Sequence, residues 1–304
     1  MINTKPDTKR HFGSLLNIKI PNHTNTYRFD RQLFELQKHC NSFGLVTTKN
    51  NIVMAKQAGI LQIEGTVDNM TFYKSQEGYL VRKKGSITKE RILTDPAFVR
   101  TRENLNQFGL NAKAGKLIRN SITTLLKKGK DSRVSSRLSK VMSDVAKHDH
   151  VSVRGQKKVA IGVEAMEGMA LLKGFNFNNR AIMGSILSAP LEVDMATGEV
   201  SITSIIPEEQ VEAPSGATHV SFRTAIASID FAVGESETVY TDAVVLPLNL
   251  TPAPVTLTPA SVPSLGASAK TMVVLLLEFY QELDGTMYPL LSGSYNALCV
   301  VGIE

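Results

Sequence analysis

The sequence predicts an α+β fold, in which a β-ribbon and a helical hairpin precede an antiparallel β-sandwich. Three observations predict it. Aromatic and β-branched residues between turn residues fill residues 59–84, and apolar residues at helical spacing fill residues 96–147. Short apolar runs separated by Gly, Pro, Asn and Asp fill residues 151–304, which favours a sandwich of immunoglobulin-like or jelly-roll-like type.

The ribbon is predicted over residues 59–84, with tight turns at Asp68-Asn69 and Glu77-Gly78. Side chains alternate between the two faces of a strand, so one set of apolar residues is expected to be covered. The candidates for that covered face are Val67, Phe72, Tyr79 and Val81.

The first helix of the hairpin is predicted to begin at Asp95-Pro96 and to run to about Lys128. Asp95 can accept the free N–H groups of a helix start, and proline loses no hydrogen bond at the first position. A second helix is expected from about Arg133 to Lys147, antiparallel to the first because the link is short. The predicted apolar face of the first helix consists of Phe98, Leu105, Phe108, Ala112, Leu117 or Ile118, Ile122 and Leu125.

About eight or nine strands are expected after residue 150. One short helix is predicted over residues 178–187, and hairpin turns are predicted at 194–198 and 283–286. The runs that predict strands are 171–175, 191–194, 199–202, 218–223, 228–232, 239–246, 255–257, 272–280 and 297–303.

Residues 1–53 are poor in apolar side chains and rich in Asn, Thr, Lys and His. Such a segment gains too little from burial to offset the entropy of ordering. Two interpretations stay open: a mis-called start upstream of Met54, or a poorly ordered arm that orders on a partner. The predicted domains are therefore 1–53, 54–150 with the ribbon and basic hairpin, and 151–304 with the all-β sandwich.

Charge is distributed unevenly along the chain. Residues 1–150 contain 27 Lys and Arg against 12 Asp and Glu, whereas residues 151–304 contain 7 against 16. The basic part can meet a polyanion or an acidic face of a neighbouring copy. The residues predicted to bind a polyanion are Arg82, Lys83, Lys84, Arg100, Arg102, Lys113, Lys116 and Arg119.

Few residues carry a signal of reactive chemistry. His148-Asp149-His150, with Asp144 one helical turn earlier, resembles a metal or acid–base site, but no further ligand stands at a usual spacing. The sequence lacks a G-x-S-x-G elbow and a glycine-rich phosphate loop, and Cys40 and Cys299 are predicted to be free thiols. We expect no catalytic residues, no metal site, no cofactor and no enzyme activity.

The segments 65–73, 95–104 and 108–109 resemble a family of uncharacterised proteins from Bacteroidetes-type bacteria. Further similar segments are 214–219, 229–231, 279–282 and 295–298. The resemblance covers about residues 54–304 and leaves 1–53 outside, which favours the interpretation of a mis-called start. It implies kinship but no activity.

The expected function is therefore that of a non-enzymatic structural or protein-interaction protein, which could self-assemble as a homo-oligomer or bind a protein partner. The alternative is a nucleic-acid-binding protein that uses the basic ribbon and helix. No apolar run reaches the length of a membrane span and no signal peptide is visible, so cytoplasmic residence is the default expectation, with export by another route left open.

Overall fold

A computed structural model of the protein describes residues 54–57, 63–75, 78–85, 87–290 and 293–304. The extension predicted at 1–53, with Cys40, lies outside the described residues. The chain divides into two compact units, Met1–Gly85 and Ser86–Glu304. Each unit contains β-structure of its own.

The first unit contains a four-stranded antiparallel sheet with the order β1-β4-β3-β2. Asp68 adopts a left-handed conformation (φ 48°) in the turn between β2 and β3, in agreement with the predicted hairpin. The strands are β1 (Met54–Lys56), β2 (Gly65–Val67), β3 (Met70–Ser75) and β4 (Gly78–Lys83).

The predicted covered face of this ribbon is wrong in part. Val67 is exposed because it immediately precedes the tip of the β2–β3 turn, and Leu80 is buried instead. β4 is an inner strand, because β1 pairs with it on one side and β3 on the other. Phe72, Tyr79 and Val81 are half-buried.

The second unit contains helices and two antiparallel sheets. Its helices are α1 (Lys89–Thr94), α2 (Val99–Ser121), α3 (Thr123–Leu126), α4 (Val134–Lys147), α5 (Val159–Gly162), α6 (Met166–Ala170), α7 (Met183–Ile186) and α8 (Pro207–Gln210). Its strands are β5 (Glu192–Val193), β6 (Val200–Ile205), β7 (His219–Asp230), β8 (Glu235–Tyr240), β9 (Val244–Pro247), β10 (Ala253–Leu257), β11 (Lys270–Leu283), β12 (Thr286–Leu290) and β13 (Ala297–Ile303).

The larger sheet is built around the two long strands β7 and β11, which pair along almost their whole length. β8 and β9 follow one another along the outer side of β7, and β12 and β13 follow one another along the outer side of β11. The smaller sheet has the order β10-β6-β5. Residues 174–177 lie beside β13, because Gly174 and Phe177 donate backbone hydrogen bonds to carbonyl groups of that strand.

The larger sheet is apolar on both faces because each face is covered by a different layer. On β11, Met272, Val274 and Leu276 face a core shared with α2 and α4, whereas Val273, Leu275 and Leu277 face a core shared with β6 and β10. The predicted α+β fold with a β-sandwich is therefore confirmed, and the helices add a third layer on the outer face of the larger sheet.

The helical hairpin forms as predicted, with shorter helices. Asp95 Oδ1 accepts the N–H of Ala97 at 2.9 Å, and a single 3₁₀ turn (Pro96–Phe98) leads into α2. α2 packs on α4, where the Cα of Gly115 faces Leu138 and Met142. The predicted single helix to Lys128 is interrupted at Ile122, after which α3 forms a separate turn.

Several predicted elements of the C-terminal part differ in the structure. The predicted strand at 171–175 is instead a turn that follows α6, in which Gly174 has a φ of 79°. The predicted strands 218–223 and 228–232 form one continuous strand, β7, because the intervening polar residue Thr224 is buried and bonded to Thr241. The predicted helix at 178–187 is confined to α7.

The boundary between the compact units also differs from the predicted domain boundary near residue 150. Ile118 and Leu138 of the helices share one core with Leu276 and Leu298 of the larger sheet, so the helices belong to the same compact unit as the strands. Among the described residues, no helix has both the length and the apolar character that crossing a bilayer requires.

Candidate functional site

The cluster His148-Asp149-His150 follows α4, and its carboxylate is used by the backbone. Asp149 is buried, and its two oxygens accept the N–H groups of Val151 and Ser152 at 2.9 Å and that of Lys158 at 2.8 Å. Burial raises the pKa of Asp149, but these N–H groups outweigh burial and hold the net pKa far below its usual range. Asp149 is an anchor of the 150–158 loop.

The other residues around this cluster do not complete a metal site. Asp144 pairs with Lys147 at 2.6 Å on the surface of α4. Over the described part of the chain, no three His, Cys, Asp or Glu side chains come together as ligands of a metal ion would. Cys299 is a free, buried thiol, and burial raises its pKa to about 11, so it is protonated at neutral pH.

The remaining acid–base candidates have structural contacts or lie on the surface. Glu164 pairs with Lys270 at 3.3 Å, and His219 Nδ1 lies 2.9 Å from the hydroxyl of Thr218. His219 is the first residue of β7. Glu167, Glu208 and Glu209 are exposed.

The residues predicted to bind a polyanion are divided between the two units. Arg82, Lys83 and Lys84 belong to β4 and the residue after it, where the guanidinium of Arg82 lies 5.4 Å from the ring centroid of Tyr73. This cation–π contact stabilises the sheet. Lys83 and Lys84 are exposed.

Two of the five predicted residues in α2 have structural roles. Arg102 donates to the carbonyl oxygens of Ile92 and Asp95 at 2.7 and 2.9 Å, so it completes the C-terminal end of α1. Arg100 pairs with Glu103 at 2.9 Å. Within the described ranges, no carboxylate pairs with the remaining three, Lys113, Lys116 and Arg119.

The N-terminal half of α2 exposes apolar side chains that were predicted to be buried. Leu105 is 56% exposed and Phe108 is 65% exposed, whereas Ile118 in the C-terminal half and Ile122 directly after the helix are buried. The predicted apolar face is therefore wrong for the first half of the helix, because the sheet and α4 cover only the second half. The whole helix contains five Arg and Lys and a single acidic residue, Glu103. We call the exposed residues Leu105 and Phe108 the helix face.

A second exposed apolar surface lies at the end of β11 and in β12. Leu283, Met287 and Tyr288 are 52, 41 and 52% exposed. The turn between the strands has positive φ at Asp284 and Gly285, which matches the predicted hairpin turn at 283–286. The only charged residues in 281–290 are Glu282 and Asp284. We call residues 281–290 the arm.

The arm was only partly predictable. The sequence predicts the Asp-Gly turn but not β12, since Met287, Tyr288 and Pro289 show no clear alternation of apolar and polar residues. A signal was present on one side of the turn, because the apolar residue Leu283 stands between the acidic residues Glu282 and Asp284.

Comparisons with known proteins add no assignment: no protein-family model, no curated protein and no solved structure matches the chain. The resemblance to proteins of Bacteroidetes-type bacteria stays a prediction.

Proposed function

We propose that the chain is a non-enzymatic structural protein that self-assembles, with the arm of one copy docked on the helix face of the next. A single observation carries this proposal: the second unit exposes two separate apolar surfaces of opposite charge. The helix face presents Leu105 and Phe108 on a basic helix, and the arm presents Leu283, Met287 and Tyr288 beside two carboxylates.

Complementary charge favours the contact between unlike surfaces. Two copies of α2 facing each other would place five cations and one carboxylate opposite the same set, and this excess of like charge is repulsive at short range. Glu282 and Asp284 on the arm have the opposite sign, and large apolar side chains on both surfaces lose contact with water when they meet. Aromatic anchors such as Phe108 and Tyr288 are the residue types that dominate binding energy at protein interfaces.

A contact between two different surfaces has a consequence for the type of assembly. Each copy keeps one free arm and one free helix face after binding a neighbour. Such heterologous contacts close into a ring when the rotation permits, and otherwise form an open chain of subunits. We therefore expect species larger than a dimer.

The experiment uses two variants that each remove one surface of the full chain. Phe108→Glu places a carboxylate on the helix face, and Tyr288→Glu replaces the aromatic anchor of the arm by a carboxylate, so the two altered surfaces repel each other. Analytical ultracentrifugation at micromolar concentration should show assembly of the wild type and monomers of each variant. The equimolar mixture should form dimers and nothing larger, because one intact arm meets one intact helix face.

The matched control is Leu250→Glu, which adds the same charge at an apolar residue that is 61% exposed and lies on neither surface. This variant should assemble like the wild type. The proposal fails if the wild type is monomeric at micromolar concentration, or if the mixture of the two variants stays monomeric while the wild type assembles.

A second candidate function, nucleic-acid binding, has one specific observation in its favour. Lys113, Lys116 and Arg119 follow one another at three-residue steps on α2, and none of them pairs with a carboxylate in the described part of the chain. Cations that contact phosphates release counterions, so affinity should fall steeply with salt. A gel shift with duplex and single-stranded DNA at low salt tests this candidate, and the absence of retardation would exclude it.

A further inference from the structure

A cleft of about 720 Å³ lies between α2, the start of α5 and the turn after β7. Its walls include the apolar side chains of Leu117, Val159 and Phe231. Small-ligand sites in proteins have volumes of about 300–1,000 Å³ and apolar walls with a few polar groups, so this cleft has the size and composition of a ligand site.

Three lysines surround the cleft on two sides. Lys113 and Lys116 lie one turn apart on α2, and Lys158 stands on the opposite wall at the start of α5. All three are exposed, and no carboxylate lines the cleft. Over the residues that the structure describes, none of the three forms an ion pair. Three cations around one apolar cleft repel each other, and a bound anion would relieve that repulsion.

We propose that this cleft binds a small amphipathic anion, in which one acidic group contacts the lysines and an apolar body occupies the space against Leu117 and Phe231. The apolar walls separate this ligand class from inorganic anions, which gain nothing from such walls. They also separate it from nucleic-acid phosphates, which stay in water along a charged surface. The proposal does not depend on assembly, because neither the helix face residue Phe108 nor the arm lines the cleft.

Two matched fluorescent probes test the proposal on the full chain. 1-Anilinonaphthalene-8-sulfonate carries an acidic group on an aromatic body, and N-phenyl-1-naphthylamine is the same aromatic amine without that group. We expect saturable binding of the sulfonate at one site per chain and at least about tenfold weaker binding of the neutral amine. Equal binding of the two probes, or no saturable binding of the sulfonate, would overturn the proposal.

Lysine variants locate the site. Lys113→Gln, Lys116→Gln and Lys158→Gln each keep a flexible polar side chain and remove the charge, and each should weaken binding of the sulfonate about three- to tenfold without changing binding of the neutral amine. Lys140→Gln on α4 is the matched control, since Lys140 is an exposed lysine that does not line the cleft. The Lys140→Gln variant should bind the sulfonate with the same affinity as the wild type.

Two further variants separate this site from the other exposed surfaces. Val233→Asp places a carboxylate in the turn that lines the cleft and should weaken binding of both probes. Phe108→Glu should leave binding of the sulfonate unchanged. If Phe108→Glu abolishes binding and the lysine variants do not, the probe binds the helix face and the proposed cleft site is wrong, whatever the outcome of the assembly experiment.

Discussion

At the scale of single residues, Asp149 holds the loop after α4 through hydrogen bonds to three backbone N–H groups. An asparagine there has one acceptor oxygen, and its amide group would face at least one of these donors. Because buried donors without partners are costly, Asp149→Asn should lower the free energy of unfolding by about 2–3 kcal/mol. Urea denaturation at pH 7 measures this change, and a loss below about 0.5 kcal/mol would contradict the anchoring role.

The same residue gives a prediction for pH. The pKa of Asp149 lies below its usual range in the folded chain, whereas an unfolded aspartate titrates near about 3.9. A carboxyl group whose pKa is lower in the folded chain than in the unfolded chain stabilises the fold at pH values above the unfolded pKa. This stabilisation is lost as the pH falls below about 4. The free energy of unfolding should therefore fall more steeply between pH 4 and pH 3 in the wild type than in Asp149→Asn. If the free energies of unfolding of the two proteins fell in parallel over this pH range, the lowered pKa of Asp149 would not be the cause.

Two glycines provide a matched pair of substitutions. A Cβ at Gly162 would fall on the carbonyl oxygen of Val145, so α4 and α5 approach too closely for any side chain there. A Cβ at Gly109 would meet nothing within 4 Å. Gly162→Ala should destabilise the fold by about 1–3 kcal/mol, whereas Gly109→Ala, inside a helix, should stabilise it by about 0.5–1 kcal/mol. Thermal unfolding at a protein concentration too low for assembly compares the two variants. Equal shifts of their melting temperatures would contradict this account.

The role of Asp149 could not have been found from the sequence. Its neighbours His148 and His150 suggested a metal site, because residue types are visible in a sequence and backbone donors are not. Lys158 is nine residues away, and only the fold of the loop brings its N–H to the carboxylate. The helix cap at Asp95 was predictable, since its partner Ala97 is two residues away.

At the scale of elements, an ion pair connects the end of the helical layer to the central strand β11. Lys128 Nζ lies 2.8 Å from Glu278 Oε2, and the Glu278 side chain is 7% exposed whereas that of Lys128 is 39% exposed. Lys128→Met would leave a carboxylate with little access to water. We expect a loss of about 1–3 kcal/mol in the free energy of unfolding, less than for a fully buried pair because water screens the lysine.

A double-mutant cycle checks this prediction. Glu278→Gln removes the charge, so the further change Lys128→Met should cost less in that background than in the wild type, with a coupling of about 1 kcal/mol. Additive losses would show that Lys128 acts through packing alone. Chemical denaturation of the four proteins at pH 7 provides the measurement.

Helices and strands were predictable where a single period of apolar residues governs them. The α4 pattern Val134, Leu138, Val141, Met142 and Val145 predicted a helix correctly, because one face of α4 is buried along its length. In α2 the same period was present, but burial changes halfway along the helix. Periodicity shows which residues share a face and not what covers that face, so the exposure of Leu105 and Phe108 could not be predicted.

At the scale of the whole molecule, the predicted change of composition near residue 150 does not coincide with the division of the structure. The basic helices share a core with the strands, and the division of the chain into compact units falls between residues 85 and 86. Charge reflects surface composition, whereas a domain is defined by a common core. The three-layer arrangement could not be predicted, because nothing local indicates that α2 covers the larger sheet.

This division predicts that residues 86–304 fold without the first unit. The two hydrophobic cores of the second unit lie entirely within that range. The fragment should unfold cooperatively in urea. Its midpoint should lie within about 0.3 M of the midpoint of the full chain's main transition. A fragment without cooperative unfolding would show that the first unit completes the core. A second fragment, residues 151–304, should fail to fold, because it lacks the helices that cover one face of β11.

The contact between the α3 turn and β13 also constrains the order in which the protein is completed during synthesis. The side chain of Asn296 donates to the carbonyl oxygen of Lys128 across 168 residues, and Leu298 packs under the helical layer. A ribosome therefore releases the helices long before the strand that supports them has been made. During that interval their apolar faces have no native cover, so we expect the nascent chain to be most prone to aggregation before β13 has been made.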